Sequence, residues 1–581
     1  MVPKVSPARG DLKRRALAAV LALAAGLALP AGLVPSTARA QGPPEADPSA
    51  EARAAQVGFE RFRVARLPWS WDAGSESCDE IVGRFCYRHE TDSDDPPPPE
   101  PEGVASARDS LLARLDAAAE RDPADGWIAG QRVRYRIEAG RVAEAVAVAE
   151  ACAAEPWWCA ALEGAARQAA ADFAGAERAF GRALAAMPAD ERERWEDVEP
   201  LLDGEARAIW RSLGPGGRAA FAARLWWAAD PLWSVPGNER RAEHFARRAW
   251  DRMQEGAASA YDVSWGRDLS ELLVRYGWPE AWELARGDLG MLGGGGRPPV
   301  VARDPRGAKR FVPELAGIAD PAVADPADWP LDDPSPRSTY APSYADRFVA
   351  LEPQIARFRR GSDAVLVVGW EIPGDVLPES VAEGPAGAAV FASEGPDRPF
   401  VEARGPGTRL AEVRSAGGAL SLDVPWPRAV VGIEARLGGI AARWRGGMEL
   451  PAEGGEVPAV SDLLLLTSPD ELPATLEEAV PLARGSTAAE PGERLGIFWE
   501  AYPAPGVSSV PVTISVSLRE REGDPGALRW REAFPAGARV VPRAVALELP
   551  ELEPGRYAVE VEVAWPGASP RRARREITIR D

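Results

Sequence analysis

Apolar residues recur at helical spacing over residues 105–187, and from about Phe348 onward they alternate with polar ones at a period of two. The chain therefore reads as a helical front joined to an all-β back. Asp122-Pro123, Gly140, Pro156 and Pro188 break the front into short helices. Three further helices are expected over 205–213, 217–228 and 238–256, with Pro231 and Pro236 separating the last two. The stretch 269–276 (LSELLVRY) suits either a helix or a short strand. In the back, alternating runs at 365–370, 388–392, 410–414, 430–436 and 441–450 form one set of strands. Runs at 463–467, 495–502, 510–520, 544–549, 557–564 and 575–580 form a second. Their spacing predicts two antiparallel β-sandwiches.

The remaining segments divide these regions. Residues 1–40 form an export signal. Lys4, Arg9, Lys13, Arg14 and Arg15 precede an uncharged apolar run, and Ala38-Arg39-Ala40 places cleavage between Ala40 and Gln41. Pro30, Gly32 and Pro35 interrupt the run before it reaches the roughly 20 residues of a membrane span. Residues 41–104 are expected to be a flexible lead up to residue 56, an irregular cap, and the proline-rich acidic linker 92–102. A helical-repeat region at 105–190, a tryptophan-rich α domain at 191–290 and a linker at 291–345 follow. The sandwiches occupy 346–455 and 456–581.

Charge and cysteine content narrow the setting. The net charge is −20, which argues against a nucleic-acid partner. No cysteine near the cleavage site offers a lipid anchor, and no segment after the signal is apolar enough to span a bilayer. A periplasmic or secreted location follows. Once export is granted, Cys78 with Cys86 and Cys152 with Cys159 read as two local disulfides. The second pair flanks a turn between helices.

Catalytic chemistry is sparse. Apart from the signal, one lysine and two histidines remain. There is no zinc-binding histidine pair, nucleophile elbow, phosphate loop or dinucleotide fingerprint, so neither a catalytic set, a metal nor a cofactor is assigned. What stands out is the segment from Trp195 to Trp282, with nine of the 21 tryptophans, the only asparagine (Asn238) and His244. Asn238 is placed to cap the helix that begins at Glu239. Glu243 pairs with Arg247 at i,i+4, and Arg240 faces His244. Trp226, Trp227 and Trp233 are expected to pack across this helix, with Asp230 paired to an arginine. The architectural account is a capped helix in a tryptophan core with carboxylates paired to arginines. The functional account is a pocket in which Asp230, Glu243, His244 and Asp268 converge on a ligand or metal.

Two resemblances enter at these residues. Gly164, Ala176, Phe180, Ala183, Leu184 and Pro188, with a fainter unit at Gly140, Ala145, Cys152 and Pro156, resemble tetratricopeptide repeats. In that pattern small residues let paired helices approach, and the implied role is protein contact through a helical face. Trp226, Asp230, Pro231, Asn238, Glu239, Arg240, Glu243, Arg247, Asp268, Tyr276, Gly277 and Pro279 resemble the GWxTD domain. This is a bacterial extracytoplasmic domain of unknown function, often found with tetratricopeptide repeats and a C-terminal β domain. The signature itself differs, because Trp265-Gly266-Arg267-Asp268 lacks the threonine. The resemblance implies a strand at 269–276 and no known activity.

These readings give a multidomain α plus all-β protein with a repeat-like region, a GWxTD-like domain and C-terminal sandwiches. The expected function is a non-enzymatic binding or scaffold protein of the cell envelope with a protein partner. The alternative is a hydrolase of envelope polymers using Asp230, Glu243 and Asp268 as acid and base. Trp370, Trp426, Trp444 and Trp499 would have to form an exposed row for carbohydrate binding. Their place on or beside strands predicts core packing instead.

Overall fold

The computed structural model describes residues 47–70, 79–89, 97–285, 300–377, 386–410, 415–451, 457–467, 471–504, 506–507, 509–518, 528–533 and 537–580. The expected export signal, its cleavage site at Ala40 and Gln41, and Cys78 lie outside the described residues. Among the described residues the chain is a mixed α plus β protein, with most helices in its first half and the larger sheets in its second. No helix in this set is long and apolar enough to cross a membrane.

The front begins with α1 (Pro48–Val64), where a flexible lead and the start of an irregular cap are expected. Asp47 caps it by accepting from the Ser49 amide, and Pro48 suits the first turn, where its missing N–H costs nothing. The segment orders because it has a surface to cover: Ala52 and Phe59 join Leu111, Leu112, Leu115 and Tyr135 in one apolar cluster. The next helices are α2 (Val104–Arg121), α3 (Gly126–Glu138), α4 (Val142–Glu150), α5 (Pro156–Ala169) and α6 (Phe173–Ala186). Asp125 and Asp172 cap α3 and α6. Gly164 lies against Phe180 so closely that a Cβ there would meet the ring at 2.7 Å, which joins α5 to α6. Cys152, just beyond α4, is disulfide-bonded to Cys159 in the first turn of α5.

The tryptophan-rich region contributes α7 (Ala189–Glu196), α8 (Gly204–Ser212), α9 (Pro215–Ala229), α10 (Glu239–Gln254) and α11 (Arg267–Tyr276). The strand expected at 269–276 is a helix. Leu269, Leu273 and Tyr276 form a buried stripe at i, i+4 and i+7, and Asp268 stands in the first turn, where an anion suits the helix dipole. The expected linker at 291–345 is packed structure where it is described. Val300–Arg303 pairs with Ala281–Ala285, α12 (Leu315–Ala319) forms, and Phe311 and Tyr340 are buried. Its prolines and aspartates hid that role, because they remove periodicity without preventing burial of single aromatics.

Five strands form the first sheet of the back, in the order Val401–Pro406, Gly387–Ser393, Arg428–Leu437, Ile440–Glu449 and Arg347–Ala350. Thr408–Leu410, Ser415–Val424, Asp363–Ile372 and Gln354–Arg360 form a second, which shares a core with the first around Trp370, Val390, Val431 and Ile433. A second pair of sheets shares a core around Leu465, Ile497, Trp499, Val559 and Ile577. Phe358, Val367, Leu464 and Phe498 cement the two pairs. The pairing is not purely antiparallel as expected. Arg347–Ala350 runs parallel to Ile440–Glu449, and Ala488–Ala489 runs parallel to Arg571–Ile579. Both added strands are short edge pieces, whose register the alternation of long strands does not reveal. Trp370 and Trp499 are fully buried, as expected of core residues.

Candidate functional site

The site is built on α10, a helix buried on most sides. Asn238 caps it as expected. Its side-chain oxygen accepts from the Arg241 amide at 2.8 Å, while its amide donates to the Trp226 carbonyl at 2.6 Å, which ties the helix start to α9. One face carries Ala242, Phe245, Ala246, Ala249 and Met253 into a cluster with Ala129, Val133, Trp158, Ala161, Ala165 and Phe180. Thus α10 lies across α3, α5 and α6 and covers their apolar face. Phe245 and Phe180 meet at 5.6 Å between ring centroids.

The other faces of α10 bury polar groups. Glu239 accepts from the hydroxyls of Tyr340 and Tyr344. Burial nonetheless lifts its carboxyl to about 8. Arg240 is buried, and its two terminal nitrogens have no hydrogen-bond partner among the described residues. Desolvation, aided by the nearby Arg247 charge, pulls it down to about 9. His244 is fully buried; Nε2 lies 2.8 Å from the Trp195 carbonyl, and the ring packs against Trp226 at 5.0 Å. A carbonyl can only accept, so Nε2 carries the proton. Burial holds the imidazole neutral, well below its ordinary range.

Glu243 and Arg247 form the expected i,i+4 pair at 2.7 Å, and Gln168 donates to the other carboxylate oxygen. Arg247 also donates to the carbonyls of Val274, Arg275 and Thr339. One guanidinium therefore satisfies the C-terminal end of α11. Gly277 continues the turn at φ +93°, and a Cβ there would stand 3.0 Å from Arg247. Glu243 and Arg247 line a cleft of about 200 Å³ with Gln168, Trp250, Trp278 and Tyr340.

Asp230 and Asp268 do not join this cleft. Asp268 sits at the opposite end of α11, where Arg84 binds it through Nε at 2.5 Å and Nη2 at 2.8 Å. Those bonds hold its carboxyl at about 2. Asp230 ends α9 at the border with the first sheet, and desolvation followed by the Glu239 charge pushes its carboxyl far up. The pairing of its carboxylate with an arginine is not what forms: Oδ1 has no hydrogen-bond partner among the described residues. Its backbone carbonyl accepts from Arg443 instead, at 2.9 Å. Trp227 and Trp233 likewise leave α10 to Trp226 and pack on Phe400, while Trp233 also meets Phe391.

Sequence reasoning missed the groups that complete this border. Glu434 accepts from the Trp233 and Ser234 amides at 2.6 and 2.9 Å, Arg445 donates to the Ala228 carbonyl at 2.9 Å, and Arg443 also reaches the Pro231 carbonyl. The available signal was period two. Arg443 and Arg445 lie one strand repeat apart on the face opposite the apolar core, with Glu434 directly across from Arg443. A second buried network, Glu60, Arg63, Arg134 and Glu138 between α1 and α3, was hidden because Glu60 and Arg63 fall where an irregular cap was expected.

No protein-family model and no curated protein matches the chain. Among solved structures, one described as "putative beta-galactosidase from bacteroides fragilis" is 10% identical. The match covers 39% of this chain and 34% of that one, about a third of its length, with a TM-score of 0.16. A likeness that slight carries no argument about fold or activity.

Proposed function

We propose that the protein is an exported, non-enzymatic binding or scaffold protein of the cell envelope. Its front would be tetratricopeptide-like, its centre GWxTD-like and its two sheet pairs β-sandwiches. One observation carries this reading. The three carboxylates that a hydrolase would need are parcelled into separate environments: Glu243 with Arg247 and Gln168, Asp268 with Arg84, and Asp230 at the sheet border. A carboxylate pair acting as acid and base has to flank the same scissile bond. The Cys152–Cys159 disulfide favours an oxidising compartment.

In this reading the partner would not bind the inner face of the repeat-like helices. Because α10 covers the apolar face of α3, α5 and α6, the repeat-like helices spend that face inside the chain. A partner would then be met on the outward side of α4, where Glu144 and Ala147 are exposed, or on the β regions. Affinity capture from envelope extract, comparing the full chain with an Ala147→Arg variant, tests this. A saturable protein partner lost in the variant, with no turnover of envelope polymers, is the expected result. Polymer hydrolysis by the wild type that Glu243→Gln abolishes would establish the hydrolase instead.

A further inference from the structure

The second cleft, of about 340 Å³, opens where the N-terminal ends of α3 and α5 meet the C-terminal end of α10. Its chemistry rests on six side chains: Arg53, Trp127, Glu155, Trp158, Arg252 and Glu255. Gly126 and Gly130 let α3 lie directly on Trp158, since a Cβ at either would meet that indole at 3.1 or 3.3 Å. The indole thereby becomes a floor rather than a plug. Arg53 is stacked over Trp127 at 4.3 Å, and Arg252 over Trp157 and Trp158 at 4.8 and 5.4 Å. Stacking fixes where each guanidinium sits while leaving its edge free to donate.

The polar groups here are under-used. Arg252 has only ion pairs at 3.7 and 3.9 Å, to Glu255 and Glu191, both longer than a hydrogen bond. Glu255 has that one long pair, and Arg53 donates once, to the Gly256 carbonyl at 3.1 Å. Glu155 accepts from the Trp157 indole at 2.8 Å through one oxygen. The Trp127 indole nitrogen is buried without a hydrogen-bond partner among the described residues. Two cations and two anions thus border an aromatic cleft with spare donors and acceptors of both signs. A purely anionic ligand would meet Glu155 and Glu255, and a purely cationic one would meet both arginines. A small molecule carrying both charges around an apolar body satisfies all four.

We infer that this cleft binds a short zwitterionic peptide, its carboxylate on Arg53 and Arg252, its ammonium on Glu155 and Glu255, and its side chains against Trp127 and Trp158. The inference stands apart from the envelope-partner reading, because its test contains no ligand but the peptide. Calorimetry of the full chain with L-alanyl-L-leucine, its N-acetyl form and its C-terminal amide provides that test. The free dipeptide is expected to bind, and each blocked form to bind about 10-fold more weakly, the worth of one charge-assisted contact. Arg252→Gln should shrink the loss caused by amidation, and Glu255→Gln the loss caused by acetylation, since Arg53 and Glu155 keep one contact at each end. Both side chains are partly or largely exposed, at 32% and 60%, so both variants should keep the wild-type melting curve. Absence of binding up to about 10 mM peptide overturns the assignment. So do blocked forms that bind as well as the free peptide, or variants that leave the discrimination intact.

Discussion

The border between helices and sheets and the core of the second sheet pair are both buried, but with side chains of opposite kinds. The core uses apolar residues alone: Leu465, Ile497, Trp499, Val559 and Ile577 exclude water and ask nothing of one another beyond shape. The border buries Asp230, Glu239, Glu434, Arg443 and Arg445, each of which must find a partner or lose solvation without return. Stability in the core should therefore scale with volume. At the border it should scale with completeness of pairing, and it should depend on pH.

The sharpest way to break that contrast is Glu434→Ala. It leaves the Trp233 and Ser234 amides unsatisfied and Arg445 without its carboxylate, so a loss of about 3–5 kcal/mol is expected by chemical denaturation. A loss under about 1 kcal/mol would show that the border is wet and the contrast false. Leu465→Ala in the core should cost about 2–5 kcal/mol, from transfer and cavity terms, with no change in pH dependence.

Glu239 supplies the pH arm. Its carboxyl rises from 4.5 to about 8 on folding, so between those values the folded chain holds a proton that the unfolded chain has released. Stability must then fall as pH rises from about 4.5 to 8 and level off above. Glu239→Gln should flatten that limb of a stability–pH curve, and an unchanged slope would remove Glu239 from the account. The smallest effect is expected at the helix start. Asn238→Ala removes one cap and one bond to Trp226, for about 1–2 kcal/mol, read as a lowered melting temperature.

The legible parts of the molecule were those governed by short-range rules. Helical spacing located the helices of 105–187, period two located most strands of the back, and Asn238 announced its own cap. The Glu243–Arg247 pair followed from i,i+4 geometry. What stayed hidden depends on contacts distant in sequence. Residues 269–276 become helical because Arg247 and Asp268 satisfy opposite ends of the segment, and neither bond can be read from LSELLVRY. Residues 48–64 become a helix because α2 and α3 offer Leu112 and Tyr135 to Phe59 and Ala52. The site itself was half visible. Its helix could be foreseen, but Tyr340, Tyr344, Glu434, Arg443 and Arg445 approach it from 100 to more than 200 residues further along the chain.

Those separations bear on the order of events during synthesis. The bonds from Glu434 to Trp233 and from Arg445 to Ala228 close loops of 201 and 217 residues. Until residue 445 is available, the end of α9 keeps its carbonyls open, and α10 carries Arg240 and His244 beside an unfinished wall. Contacts of such range form late, after their loop entropy has been met by more local structure. The sheets are thus the step that completes the helices before them, and a chain halted between α11 and residue 434 would expose Trp227 and Trp233 as a sticky edge for any holding chaperone to recognise.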